Sequence, residues 1–189
     1  MIGGFAMLTW LLQSIVFLAI PATVLYIIIR LLFVKKYKIN LRMEMIRIAF
    51  LSYLVCFISI VWLKPTYTLN YIPFNAIPFK TIAQYFIALP SNDLPFLITF
   101  SNLLGNIVLT VPLGFFIFLI NKRIRTLTLA LIASSICLFI EFVQLVLHLL
   151  GLGTRIIDID DVILNIVGIY LGYYVTKYLT KSLPITQKT

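Results

Sequence analysis

The sequence predicts an all-α integral membrane protein with about five transmembrane helices and an interfacial or re-entrant loop on its outer side. Of its 189 residues, 62% are apolar and only 11% are charged, whereas soluble domains carry about 45 to 50% and about 25%. The apolar residues form runs that reach the roughly 20 residues needed to span a bilayer. Basic residues lie in short clusters between these runs, so the net charge of +9 indicates membrane topology and not a nucleic-acid partner.

Five apolar runs define the predicted spans, and the first contains Pro21, which predicts a kink. The runs cover residues 5–34, 46–63, a stretch within 94–120, 126–150 and 161–179. Prolines and asparagines interrupt the stretch between the second and third runs, so its apolar pieces are too short to cross. The sequence therefore predicts an N-terminal two-helix membrane region (1–64), an outer loop (65–93), a three-helix core (94–180) and a cytoplasmic tail (181–189).

The basic residues predict the orientation in the cell membrane. Twelve of the fifteen Lys and Arg residues flank the first connection, form the third, or close the chain. The opposite connections contain only Lys64, Lys80 and Arg155, together with four aspartates. Because cytoplasmic loops carry the excess of Lys and Arg, the N-terminus is predicted outside and the C-terminus in the cytoplasm.

Polar and small residues recur at spacings of three and four on three predicted spans, which places each set on one helix face. On the fourth span the set is Ser134, Cys137, Glu141, Gln144 and His148. At the outer end of the fifth it is Asp158, Asp161, Asn165, Gly168 and Gly172. On the third it is Asn102, Asn106, Thr110 and Gly114. A rise of about 1.5 Å per residue puts Glu141 and Asn165 in the outer half of the bilayer.

Glu141 is the residue of this set that most needs an explanation. An ionisable side chain within a span costs roughly 2.5 to 3.5 kcal/mol, so it requires a partner, a proton or a water-filled cavity. One interpretation is an outward-opening pocket for a headgroup, and a second is a polar cluster that only fixes helix packing. A third is an intramembrane hydrolase or transferase with Glu141 as the catalytic general base.

The candidate ligand-binding residues are Asn106, Glu141, Gln144, Arg155, Asp158, Asp161 and Asn165, and no cofactor or metal is predicted. Arg155 either pairs with the nearby aspartates or binds a phosphate or carboxylate in bidentate fashion. As an alternative, Asp158, Asp160, Asp161 and Glu141 offer oxygen ligands to a hard cation. Gly168 and Gly172 form a small-xxx-small pair, which is typical of close helix packing.

Three motifs in this order, NIVLTVPLG (106–114), EFVQ (141–144) and RIIDIDDVILNIVGIYLG (155–172), resemble the VanZ-like family of bacterial multi-pass membrane proteins. The resemblance covers about residues 100 to 175. Its matching positions are Asn106, Pro112, Gly114, Glu141, Gln144, Arg155, Asp158, Asp161, Asn165, Gly168 and Gly172. It implies a role in the bacterial envelope, as in resistance to the lipoglycopeptide teicoplanin. The expected partners are an envelope lipid, a lipid-linked cell-wall precursor or the antibiotic itself.

Overall fold

The computed structural model describes residues 9–33, 40–63, 74–88, 96–152 and 157–182, with side chains except at 85, 88, 96–102 and 157. The chain divides into two compact units, Met1–Pro65 and Thr66–Thr189. Within the described residues, five helices are long and apolar enough to cross a membrane. These candidate spans are Thr9–Leu32, Leu41–Leu63, Leu103–Ile120, Thr126–Leu149 and Ile159–Ser182. The predicted all-α fold with five spans is confirmed, while its orientation stays a prediction.

The N-terminal unit is a pair of helices, α1 (Thr9–Leu32) and α2 (Leu41–Leu63). Helix α1 contains a π-helical turn at Ile15–Ala19, just before Pro21, which has no backbone N–H to donate to the preceding turn. Helix α2 begins at Leu41, five residues before the predicted start, because the Asn40 side chain caps it by accepting from the Met43 amide.

Hydrogen bonds between polar side chains join α1 to α2 at several levels. The Ser14 and Ser59 hydroxyls are 2.6 Å apart, and the Thr23 and Ser52 hydroxyls are 2.9 Å apart. Each pair satisfies polar groups that would otherwise face hydrocarbon. The two helices therefore form a hairpin held by polar contacts as well as by packing.

The C-terminal unit contains strands β1 (Phe74–Asn75) and β2 (Ile157–Asp158) and four helices. The helices are α3 (Lys80–Ala88), α4 (Phe96–Ile120), α5 (Thr126–Leu149) and α6 (Ile159–Ser182). The strands pair in parallel over two residues only, Phe74 with Ile157 and Asn75 with Asp158. Helix α3 is about 13 Å long, against a hydrocarbon core of about 30 Å, so this part of the predicted outer loop does not cross.

Helices α4 and α6 pack in parallel, with their backbones in contact through glycines. A Cβ atom added at Gly168 would lie 2.4 Å from the Ile107 carbonyl oxygen, and one at Gly172 would lie 1.9 Å from that of Val111. One at Gly114 would lie 2.0 Å from the carbonyl oxygen of Ile169. No side chain fits at these three positions, so the predicted packing role of Gly168 and Gly172 is confirmed.

Helix α5 runs antiparallel to α6. The Ile124 amide, just before α5, donates to the hydroxyl of Tyr173 late in α6 at 3.3 Å, while α5 also contacts β2 at the start of α6. Leu129, Ala133 and Cys137 of α5 are buried in one apolar cluster with Val162, Ile169 and Tyr173 of α6 and Phe118 of α4. The apolar cluster occupies one end of the three-helix bundle, and the polar residues lie toward the other end, where α6 begins.

Candidate functional site

Asp158 connects the start of α6 to the loop that precedes α4. One carboxylate oxygen accepts from the Asp160 amide at 2.9 Å, which is the pattern of a helix N-cap. The same oxygen accepts from the Asn75 side-chain amide at 2.8 Å, and the other oxygen accepts from the Thr81 hydroxyl. Asp158 is buried, so these donors supply the partners that water would otherwise give.

Asp160 caps a different helix. Helix α3 follows Phe79, whose side chain cannot accept a hydrogen bond and whose φ of 64° lies in the left-handed region. The Asp160 carboxylate instead accepts from the backbone amides of Phe79, Thr81 and Ile82, the last two at 2.8 and 3.1 Å. Its exposed fraction is 0%. A buried anion at the positive end of α3 is thus fully hydrogen-bonded.

Asp161, near the start of α6, contacts Asn106, near the middle of α4. The Asn106 side-chain amide donates to the Asp161 carboxylate, and both residues are half-buried. One turn further in, the Thr110 hydroxyl lies 3.0 Å from the backbone carbonyl oxygen of Asn165, which is itself buried. The equal spacing of these two contacts follows from the parallel packing of α4 and α6.

Glu141 and Gln144 lie on the buried face of α5, with exposed fractions of 7% and 3%. Glu141 is about 25 Å along α5 from Ile124, and Asp158 is a similar distance along α6 from Tyr173. Because the two helices are antiparallel and Ile124 contacts Tyr173, Glu141 lies at the level where α6 begins. Of the predicted stripe on α5, Cys137, Glu141 and Gln144 are buried, while Ser134 and His148 are half-buried.

The structure therefore brings most of the predicted residues to one end of the C-terminal bundle. Asn106 contacts Asp161 directly, Asn165 lies one turn below them, and Glu141 is buried on α5 toward the same end, with Gln144 about one turn further along α5. Asp158 lies at the same end, with both oxygens occupied by protein donors. Arg155 and the side chain of Asn102 lie outside the described residues, so the predicted role of Arg155 in binding an anion stays a prediction.

One alternative from the sequence was a hard cation bound by the oxygens of Asp158, Asp160, Asp161 and Glu141. In the structure the oxygens of Asp158 and Asp160 instead accept hydrogen bonds from N–H and O–H groups of the protein. Across the part of the chain that the structure describes, no three His, Cys, Asp or Glu side chains are arranged to hold a metal ion. The sequence alone does not identify Asn75 and Thr81 as partners of these aspartates. The described residues before α3 include no side chain that caps it, so the sequence indicates that an acceptor must come from another part of the chain.

Comparison with known proteins identifies the family of the chain. The comparisons with curated proteins and with solved structures gave no significant match. A family model described as VanZ/LLP1 matches residues 50–180, which is more than half of the chain and extends the resemblance to the second span and the loop before α4. With its five apolar helices, the chain is a multi-pass membrane protein and belongs to the VanZ/LLP1 family.

Proposed function

We propose that the polar end of the C-terminal bundle recognises the headgroup of an amphiphile of the bacterial envelope. The candidates are an envelope lipid, a lipid-linked cell-wall precursor and a lipoglycopeptide such as teicoplanin. The observation that carries the proposal is the Asn106–Asp161 contact between α4 and α6, at the end of the bundle toward which Glu141 and Gln144 are buried on α5. Membership of the VanZ/LLP1 family supports the link to the envelope and to teicoplanin resistance.

The chemistry of these side chains favours a ligand with many hydrogen-bond donors. Two carboxylates and two side-chain amides offer mainly acceptor oxygens, which complement the hydroxyl and amide groups of sugars and peptides. The half-buried Asn106 and Asp161 are accessible from the bundle surface, while Glu141 and Gln144 are buried deeper. In this arrangement a headgroup first binds at the rim formed by Asn106 and Asp161. The headgroup must then lose its water before it reaches Glu141.

Asp158 and Asp160 have a positioning role in this proposal. Their carboxylates hold Asn75 and the start of α3 against α6, beside Asp161. They shape the rim of the site, and the ligand contacts fall to Asn106, Glu141, Gln144, Asp161 and, as the sequence predicts, Arg155. Arg155 is proposed to bind a phosphate or carboxylate of the same ligand through its planar guanidinium.

Glu141→Gln tests the proposal because it removes the charge and keeps the shape and hydrogen-bonding capacity. We expect normal abundance in the membrane and lower teicoplanin resistance. Ligand retention should be roughly 10- to 150-fold weaker, which corresponds to a lost charged hydrogen bond of about 1.5 to 3 kcal/mol. Native mass spectrometry of the purified protein with bound envelope lipid, or with added teicoplanin, measures retention. Ser134→Ala, about 10 Å deeper on α5, is the matched control and should bind as the wild type does.

The same measurements distinguish the other functional classes. Turnover of the retained lipid by the wild type but not by Glu141→Gln would make Glu141 a general base and the protein an intramembrane hydrolase or transferase. Equal retention by wild type, Glu141→Gln and Ser134→Ala would contradict the pocket. In that case the polar cluster would serve helix packing or a structural partner.

A further inference from the structure

A cluster of charged side chains in the N-terminal unit shares no residue with the proposed headgroup site. Glu44, on the first turns of α2, is buried, with a side-chain exposure of 10%. One of its oxygens accepts from Arg30 of α1 through Nε at 3.0 Å and Nη2 at 2.8 Å, and from Arg47 through Nη1 at 2.6 Å. Its other oxygen accepts from the Tyr26 hydroxyl. A single carboxylate therefore holds two guanidinium groups in place.

This cluster has a surplus of positive charge. Within the described residues, the guanidinium groups of Arg30 and Arg47 both pair with the one carboxylate of Glu44, so these three side chains together carry a net charge of +1. The Arg47 side chain is 51% exposed; it donates to Glu44 through Nη1 and also interacts with the Tyr26 hydroxyl. A guanidinium has five N–H donors, so Arg47 presents several of them at the surface. Such a fixed guanidinium fits the oxygens of a phosphate.

An apolar groove runs along the same two helices. It is an open groove of about 470 Å³ whose lining includes Ile20, Val24, Tyr53 and Cys56. The Thr23 and Ser52 hydroxyls in its wall hydrogen-bond to each other, and Thr23 also donates to the Ala19 carbonyl. The polar groups of the wall thus have protein partners, and the groove surface is effectively apolar.

The groove and the cluster have the spacing of a lipid tail and its phosphate. On α1 the groove extends from Ile15 to Val24, which is about 13 Å, and Val24 lies about 9 Å from Arg30 along the helix axis. One leaflet contributes about 15 Å of hydrocarbon. The far end of the groove therefore lies about 22 Å from Arg30, more than the hydrocarbon depth of one leaflet, so an acyl chain whose phosphate lies at Arg30 and Arg47 occupies the part of the groove nearest Val24.

We propose that this hairpin holds an anionic phospholipid, with the phosphate on Arg47 and Arg30 and one acyl chain in the groove of α1 and α2. Glu44 and Tyr26 position the guanidinium groups and do not contact the lipid. Basic pockets between transmembrane helices are known to select anionic headgroups over neutral ones. The positive charge of the cluster favours an anionic headgroup. The apolar groove favours a ligand that carries an acyl chain over a free anion.

The test uses the purified full-length protein in detergent with phosphatidylglycerol, phosphatidylcholine of the same chain length, or inorganic phosphate. We expect phosphatidylglycerol to raise the melting temperature and to remain bound in native mass spectrometry, while the other two do neither. Equal effects of phosphatidylcholine would reduce the groove to an unselective lipid contact and overturn the proposal. An equal effect of inorganic phosphate would assign the cluster to a free anion and also overturn it.

Two variants, each with a matched control, test the two halves of the site. Arg47→Gln removes an exposed guanidinium and leaves the Arg30–Glu44 pair in place, so we expect about fivefold weaker binding, the factor for about 1 kcal/mol per basic residue. Arg123→Gln, an exposed arginine elsewhere, should have no effect, and an equal loss there would contradict a defined site. Val24→Trp fills the groove and should weaken binding, whereas Val16→Trp, on an exposed position outside the lining, should not. Equal losses in both tryptophan variants would remove the groove from the proposal.

Discussion

Phe79 shows how a single backbone position depends on a distant side chain. Its φ of 64° costs a bulky residue about 1 to 2 kcal/mol, and its side chain offers no cap to the helix that follows. The Asp160 carboxylate accepts from its amide and from two more amides of α3. Three charge-assisted hydrogen bonds offset the strain, so the conformation of the loop is set by α6 and not by the loop itself.

Asp160→Ala should therefore release the start of α3. Removal of the carboxylate leaves three amides without their acceptor, and a loss of about 1 to 3 kcal/mol raises local opening roughly 5- to 150-fold. Hydrogen exchange of the purified protein measures this as faster exchange at Phe79, Thr81 and Ile82, with α5 unchanged. Gln84→Ala, an exposed position on the same helix, is the control. Unchanged protection of α3 in Asp160→Ala would show that the cap does not hold it.

The sequence placed the residues of the candidate site on the correct helix faces but not their partners. Spacings of three and four put Asp161, Asn165 and Gly168 on one face of α6, since that periodicity is a local property of a helix, whereas Asp158 precedes the helix as its cap. Asn75 and Thr81 are about eighty residues from the aspartates that they contact. Periodicity within one helix carries no information about such tertiary pairs, so only the packed structure identifies them.

At the scale of elements, α4 and α6 depend on glycine because their backbones touch. Contacts between α4 and α6 follow one another along the interface. Near the start of α6 they are the hydrogen bonds of Asn106 with Asp161 and of Thr110 with Asn165, and further along they are backbone contacts at glycines. The polar contacts set the register, and the small residues allow the close approach that dispersion and polar contacts within a membrane require. A parallel helix pair of this kind positions the candidate site as one rigid surface.

Gly172→Ala should separate these helices. The new Cβ would lie 1.9 Å from the Val111 carbonyl oxygen, and backbone cannot yield as a flexible side chain does. We expect a destabilisation of about 1 to 3 kcal/mol, seen as a lower melting temperature in detergent. Gly105→Ala is the control on α4, because a Cβ there meets nothing within 4 Å. Equal melting temperatures in the two variants would contradict close backbone packing.

Helix boundaries were predicted less well than helix existence. The apolar runs identified all five spans, because length and hydrophobicity alone define a candidate span. Helix α2 begins five residues before its apolar run because Asn40 caps it at Leu41 and because Glu44, which lies before the run, pairs with Arg30 and Arg47. The short helix α3 was missed because its cap comes from Asp160, far away in sequence.

At the scale of the whole molecule, the distribution of charge makes a prediction about orientation. Within the C-terminal unit, Gln84 on α3 and Lys122 in the turn after α4 lie beyond opposite ends of one candidate span, and both are exposed. The excess of basic residues on the side of Lys122 predicts that this side is cytoplasmic.

Cysteine labelling in intact cells tests that orientation. In a background without Cys56 and Cys137, an impermeant reagent should modify Gln84→Cys but not Lys122→Cys. Permeabilised cells supply the control, since both positions should then react. Modification of Lys122→Cys and protection of Gln84→Cys in intact cells would invert the topology and move the proposed headgroup site to the cytoplasmic leaflet.

Because Asp160 caps α3, the start of this helix can reach its final structure only after Asp160 has been synthesised. The two ends of this contact are about eighty residues apart, and a ribosome adds about 5 to 20 residues per second, so Asp160 is made about 4 to 16 s after Phe79. During that interval the carboxylate that accepts from the first amides of α3 has not yet been made. The loop therefore acquires its final shape only when the last span enters the membrane, and a chain that stops before Asp158 leaves this segment open to surveillance proteases.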